Sequence, residues 1–140
     1  MNRLFLALCV LGAPAFAQQG ATQIEVEARP LVNAWISMFN KGDAAGLVKD
    51  VYVSADQAKL EGQFKELRTD SFGKLEVYSA AFCGKDAEHG KAILKFSRLY
   101  TFGGKMNDDE AKVFDLVKAP AGWRIASESD VEFNTMLSCG

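Results

Sequence analysis

Residues 91–128 constrain the fold more than any other part of the chain. The runs KAILKFSRLYTF (91–102), AKVFDLV (111–117) and WRIASE (123–128) are separated by GGKMNDDE and KAPAG, and they read as three consecutive antiparallel strands. In the first strand Ala92, Leu94, Phe96, Arg98, Tyr100 and Phe102 share a face, because successive side chains alternate. The loop at 103–110 carries the Gly, Asn and Asp residues that turns favour. Pairing Phe102 with Ala111 predicts Phe96 opposite Val117, Arg98 opposite Asp115 and Tyr100 opposite Val113. The next turn then sets Val117 against Trp123 and Asp115 beside Ile125, so one core face gathers these side chains around an Arg98–Asp115 pair. The preceding run KLEVYSAAFC (74–83) is a fourth strand. Pairing Cys83 with Lys91 brings Phe82 to Ala92, Tyr78 to Phe96 and Glu76 to Arg98, where a slip of one residue would turn Glu76 to the other face.

The chain opens MNRLFLALCVLGAPAFA, with one Arg, an apolar run and then Ala15-Phe16-Ala17. This is the build of a secretory signal peptide over residues 1–17, cleaved after Ala17, and it implies a periplasmic or secreted protein. The apolar run is too short to span a membrane. The formal net charge of −2 comes with no basic stripe and no block of like charge, which makes nucleic acid and anionic membrane surfaces poor candidates as partners. Cleavage leaves two cysteines, Cys83 and Cys139. In an exported setting they either bond, tying the C-terminal tail to the end of a strand, or remain as a buried thiol and a loose end.

Residues 18–23 (QQGATQ) are a polar lead-in. Leu31, Ala34, Trp35, Met38 and Phe39 then recur with the spacing of an amphipathic helix, with Ile24 and Val26 as an upstream extension and Pro30 at a kink or a first turn. Asn40-Lys41-Gly42 stops it, and Asp43 caps a short helix that buries Leu47 and Val48. Val51-Tyr52-Val53 reads as a short edge strand. Ser54 with Gln57 forms a capping box for a helix carrying Leu60, Phe64 and Leu67 inward. The order predicts an α+β fold, with N-terminal helices packed on one face of a curved antiparallel sheet.

This order resembles the nuclear transport factor 2-like superfamily, a cone-shaped α+β fold shared by ketosteroid isomerases and polyketide cyclases. The resemblance rests on FNKGD (39–43) at the end of the first helix, the short helix and 51–53 strand after it, and Gly122-Trp123-Arg124-Ile125 in the closing hairpin. It covers residues 24–128 as one domain and leaves 129–140 as a tail. It implies a central pocket between helices and sheet. The isomerase mechanism does not carry over, because Trp35 and Phe39 stand where a hydroxyl donor is wanted and residues 51–57 offer no inward carboxylate.

Arg98 with Asp115 and Glu76 is the constellation with chemistry in it, and Tyr78, Tyr100 and Trp35 complete a candidate ligand-binding set. A guanidinium held by carboxylates binds an acidic ligand group, or the carboxylates act as general acid or base. The plainer reading is an ion pair that satisfies itself at the rim of the sheet. His89 is the sole histidine and lies in a polar loop, so neither a triad nor a zinc site is expected, and no cofactor is implied. Three functions follow: an exported domain binding a small apolar or acidic ligand or a partner, a small pocket enzyme of isomerase, dehydratase or hydrolase type with a carboxylate base near Arg98, and a structural dimerisation module. A homodimer is expected through the outer sheet face, where the register places Leu99, Phe114 and Leu116 together, unless the tail with Phe133, Met136 and Leu137 covers that face.

Overall fold

The computed structural model describes residues 16–53, 56–69, 74–99 and 107–139. Its first element, α1 (Phe16–Lys41), continues through the 18–23 segment and through Pro30, which sits on the exposed side. Ile24, Ala28, Leu31, Val32 and Trp35 follow one another at three- and four-residue steps and are all buried. Gly42 ends the helix with φ 72°, a backbone conformation that favours glycine, and donates its N–H to the Phe39 carbonyl at 3.1 Å. The Asp43 carboxylate then accepts the Gly46 N–H at 2.9 Å and starts α2 (Ala44–Asp50). Residues 51–53 make a single parallel bridge, in which Ile125 N–H reaches the Val51 carbonyl and Val53 N–H reaches the Ile125 carbonyl, both at 2.8 Å. Asp56 caps α3 (Gln57–Thr69) by accepting from the Lys59 N–H, while Ser54 lies outside the described residues.

Four strands follow, β1 (Leu75–Gly84), β2 (His89–Leu99), β3 (Asn107–Ala119) and β4 (Gly122–Val131), forming an antiparallel sheet in the order β1-β2-β3-β4. The three helices pack on one face of it, an α+β architecture, and Ala92, Leu94, Phe96, Phe114, Leu116, Trp123 and Ile125 meet them there. Gly90 marks the closest approach, since a Cβ at that position would strike the Ile24 side chain. Two side-chain ties fix the ends. Asn40 exchanges two hydrogen bonds with the Leu75 backbone, and Glu27 accepts from the Trp123 indole at 2.9 Å and from Lys118 at 3.0 Å. The Trp123 and Gln23 hydrogen bonds, with Lys118, pull the Glu27 carboxyl down to about 2.

The pairing of β3 corrects the expected register. Phe96 faces Glu110 and not Val117, Asp115 faces Lys91 and not Arg98, and Trp123 faces Lys118 and not Val117. Residues 107–110, read as loop, belong to the ladder. The slips on both sides of β3 are odd, so β3 alone is turned over relative to the expectation while Phe96, Trp123 and Ile125 keep their core positions. Between β1 and β2 the expected pairs hold from Cys83–Lys91 and Phe82–Ala92 as far as Ser79–Lys95. A bulge at Tyr78 then shifts the register, so that Val77 faces Phe96 and Glu76 faces Ser97.

Turning β3 over removes the expected dimer face. Phe114 and Leu116 lie in the core, 0% and 2% exposed, and the Leu99 side chain lies outside the described set. The outer face instead receives the tail: Phe133 meets the Tyr78 ring edge-on at 5.8 Å and lies under the Lys95 ammonium, and Cys139 is disulfide-bonded to Cys83. Ile93, Ser97 and Ala111 on this face are buried. Because the bond closes a separation of 56 residues, Cys139→Ser is expected to lower stability by about 2–4 kcal/mol. Urea unfolding without reductant measures this, and an unchanged midpoint would show that the tail contributes nothing to holding the sheet.

Candidate functional site on the concave face

The helix-facing side of the sheet changes character along its length. Toward the β3–β4 turn it is apolar apart from Lys118, which pairs with Glu27 of α1, but toward the other end it carries Arg98, Glu110, Lys112, Glu128 and Asp130 on the same face as Phe96 and Phe114. Glu128 reaches this face through the irregularity between Asp115 and Leu116. There Leu116 faces Ile125 but Asp115 faces Ser127, which turns Glu128 inward opposite Phe114.

These groups form two clusters. In the first, the Trp35 indole donates to the Tyr52 hydroxyl at 2.7 Å, and Tyr52 donates to Glu128 Oε2. Lys112 Nζ donates to Glu128 Oε1 at 3.0 Å and pairs with Asp130 at 2.9 Å. In the second, Arg98 Nη2 donates to Glu110 Oε2 at 2.7 Å. The Lys112 side chain is only 14% exposed, and its charge is paired with the half-buried Glu128 and with Asp130, which is open to solvent. The aromatic wall beside it is continuous: Trp35 stacks on Phe39 at 5.1 Å and meets Phe114 edge-on at 5.2 Å, and Tyr52 lies 5.5 Å from Phe64.

Burial above all, and then the facing Glu128 carboxylate, push the Tyr52 phenol far above the ordinary tyrosine value, so it stays a proton donor at physiological pH. Burial is also the largest influence on Lys112 and would lower its pKa. Glu128 and Asp130 together outweigh it and hold the ammonium above its usual 10.5. The stabilisation from this lysine is therefore complete below pH 10.5 and is lost only as pH rises through the higher folded value. What the arrangement can do is recognise a polar group beside aromatic side chains, with charge from Lys112 and Arg98 and acceptor oxygens from the carboxylates, the Tyr52 O–H being already donated to Glu128.

Of the described residues expected to form the site, Arg98 and Trp35 lie on this side. Asp115 points to the opposite side, where it accepts from the Ser127 hydroxyl at 2.6 Å. Glu76 is exposed opposite Ser97, Tyr78 bulges outward and donates to Asp109 at 3.0 Å, and Tyr100 lies outside the described residues. Sequence reasoning missed Tyr52 as a bridging hydroxyl, and it missed Glu110, Lys112 and Glu128. Period-two alternation through β4 hides Glu128, and taking residues 103–110 for loop hides Glu110. Among the described residues no group of three or more His, Cys, Asp and Glu side chains is placed to hold a metal ion.

No protein-family model matches the sequence, and no curated protein matches it either. Solved structures do match. An NTF-2 like protein of unknown function from Shewanella oneidensis superposes with TM-score 0.63 at 10% identity, over 75% of this chain and 96% of that one. The chain has the nuclear transport factor 2-like fold. An NTF2-like protein with a cystatin-like fold from Novosphingobium aromaticivorans gives 0.61 at 16% identity, over 82% and 85% of the two chains. A domain of unknown function with a cystatin-like fold from Nostoc punctiforme gives 0.64 at 13% identity, over 78% and 76%. Identities this low establish the fold alone and carry no activity across.

The Tyr52 bridge provides a direct check of the site. Tyr52→Phe removes the hydroxyl that joins Trp35 to Glu128, leaving a buried indole N–H and a carboxylate oxygen each short of a partner. The expected loss is about 1–3 kcal/mol by urea unfolding. A Tyr52→Phe variant as stable as wild type would mean that the three groups are not linked.

Proposed function

We propose that this chain is an exported binding domain that holds a small, largely apolar ligand by a polar group at the concave face. The observation that carries this reading is the Tyr52–Glu128–Lys112 network set among Trp35, Phe39 and Phe114. A phenol and an ammonium largely withdrawn from water cost desolvation, and an apolar set of the same volume is often as stable or more so. Keeping them there supports a role in recognition. Binding fits the geometry better than proton abstraction, because each Glu128 oxygen already accepts from a donor, Tyr52 on one side and Lys112 on the other. Export is supported by the character of residues 1–17 and by the Cys83–Cys139 bond, which belongs to oxidising compartments. Association of two copies through Phe114 and Leu116 has no part in this reading, since both side chains are in the core.

Native mass spectrometry of the protein purified from its own host tests the reading. The expected species begins at Gln18, contains the disulfide and carries a small-molecule adduct that is lost in the Lys112→Met, Glu128→Gln double variant. A wild type with no adduct, or an adduct that survives the double change, contradicts the binding role, and a chain retaining Met1 contradicts export.

A further inference from the structure

The opposite side of the sheet carries a cleft of its own, about 520 Å³ in volume, at the end where Cys139 is bonded to Cys83. Val53, Val117 and Ala126 give it apolar lining, Cys139 of the tail forms part of one wall, and Lys85 and Lys91 stand in it with His89 and a single carboxylate, Asp115. The positive charges are poorly matched. Lys85 has no acidic partner among the described residues. Lys91 reaches Asp115 only at 3.7 Å, and that carboxylate already accepts the Ser127 hydroxyl at 2.6 Å. His89 is engaged with Asp86, which does not line the cleft and also takes the Glu88 and His89 backbone N–H groups.

A cleft of the same size beside α1, which shares Lys85 with the first, is balanced in charge, with Glu27 and Asp86 against Lys118 and Lys85. Its Glu27 and Lys118 are paired with each other, and the Trp123 indole is bound to the same carboxylate, which leaves less for a charged ligand to satisfy. Two under-partnered ammonium groups over an apolar lining are instead the complement of an organic anion with an apolar body. We propose that the outer cleft is a second binding site, separate from the concave face, for small amphipathic anions such as aromatic or aliphatic carboxylates and sulfonates. The ammonium groups of Lys85 and Lys91 hold the anionic head, and Val117 and Ala126 receive the body.

Fluorescence titration with anilinonaphthalene sulfonate tests this, with the uncharged phenylnaphthylamine as the matched probe that lacks only the sulfonate. The disulfide-intact protein is expected to bind the sulfonate saturably and more tightly than the neutral probe. Lys85→Glu with Lys91→Glu should weaken sulfonate binding at least about tenfold, the loss expected when charge-assisted contacts are removed. Lys49→Glu with Lys59→Glu changes net charge equally on exposed helical positions away from the cleft and should leave affinity unchanged. No saturable binding, equal affinity for the two probes, or an equal loss in both double variants would each overturn the proposal.

Discussion

The pairing of β2 with β3 is the constraint on which the rest of the structure depends. With Phe96 opposite Glu110 and Ala92 opposite Phe114, the side of β3 that meets the helices carries Phe114 and Leu116 in its middle and Lys112 and Glu110 toward one end. The apolar part closes the core against Trp35 and its neighbours on α1. The charged part is only partly open to water, and its charges are paired with neighbours. Arg98, Glu128 and Asp130 supply these partners from the adjoining strands. A single register thus sets both the core and the polar site, and neither can shift without the other.

Irregularities in the sheet place what regular alternation cannot. The bulge at Tyr78 lets Phe82, Ala80, Val77 and Leu75 all turn toward the helices while Tyr78 itself turns out to meet Phe133 of the tail. The irregularity beside Asp115 turns Ile125 and Glu128 to the same side, so one strand contributes both a core residue and a site carboxylate. The helices complete the site from above. Tyr52 is held by the backbone exchange of Val51 and Val53 with Ile125, which brings its hydroxyl between Trp35 and Glu128. On the far side the disulfide keeps residues 132–139 near the sheet, giving the two faces different chemistry.

Much of the fold was legible in the sequence because its signals are periodic and local. The apolar stripe of α1, the Gly42 stop, the Asp43 cap and the four strand runs each have a local physical cause, and their order leads to the nuclear transport factor 2-like architecture. The site was much less legible. AKVFDLV is apolar on both sides, with Val113 and Val117 on one and Phe114 and Leu116 on the other, so hydrophobicity alone does not say which faces inward. Closing the hairpin at Phe102 and Ala111 then put the wrong side inward and matched Arg98 with Asp115, while the true partner, Glu110, sat in a segment whose Asn and Asp residues suggest a turn. Glu128 was hidden by an irregularity that leaves no mark in the spacing. Tyr52 was legible as part of the short 51–53 strand but not as the bridge between a helix and β4.

The most direct test of the β3 register is a pair of double-mutant cycles measured by urea unfolding. Arg98→Met is combined in one with Glu110→Gln and in the other with Asp115→Asn. The structure places Arg98 2.7 Å from Glu110 and puts Asp115 on the other face of the sheet. The predicted coupling is about 0.5–3 kcal/mol for Arg98 with Glu110, against simple additivity for Arg98 with Asp115. Coupling to Asp115 with none to Glu110 would mean that β3 faces the other way, and the concave site would not exist.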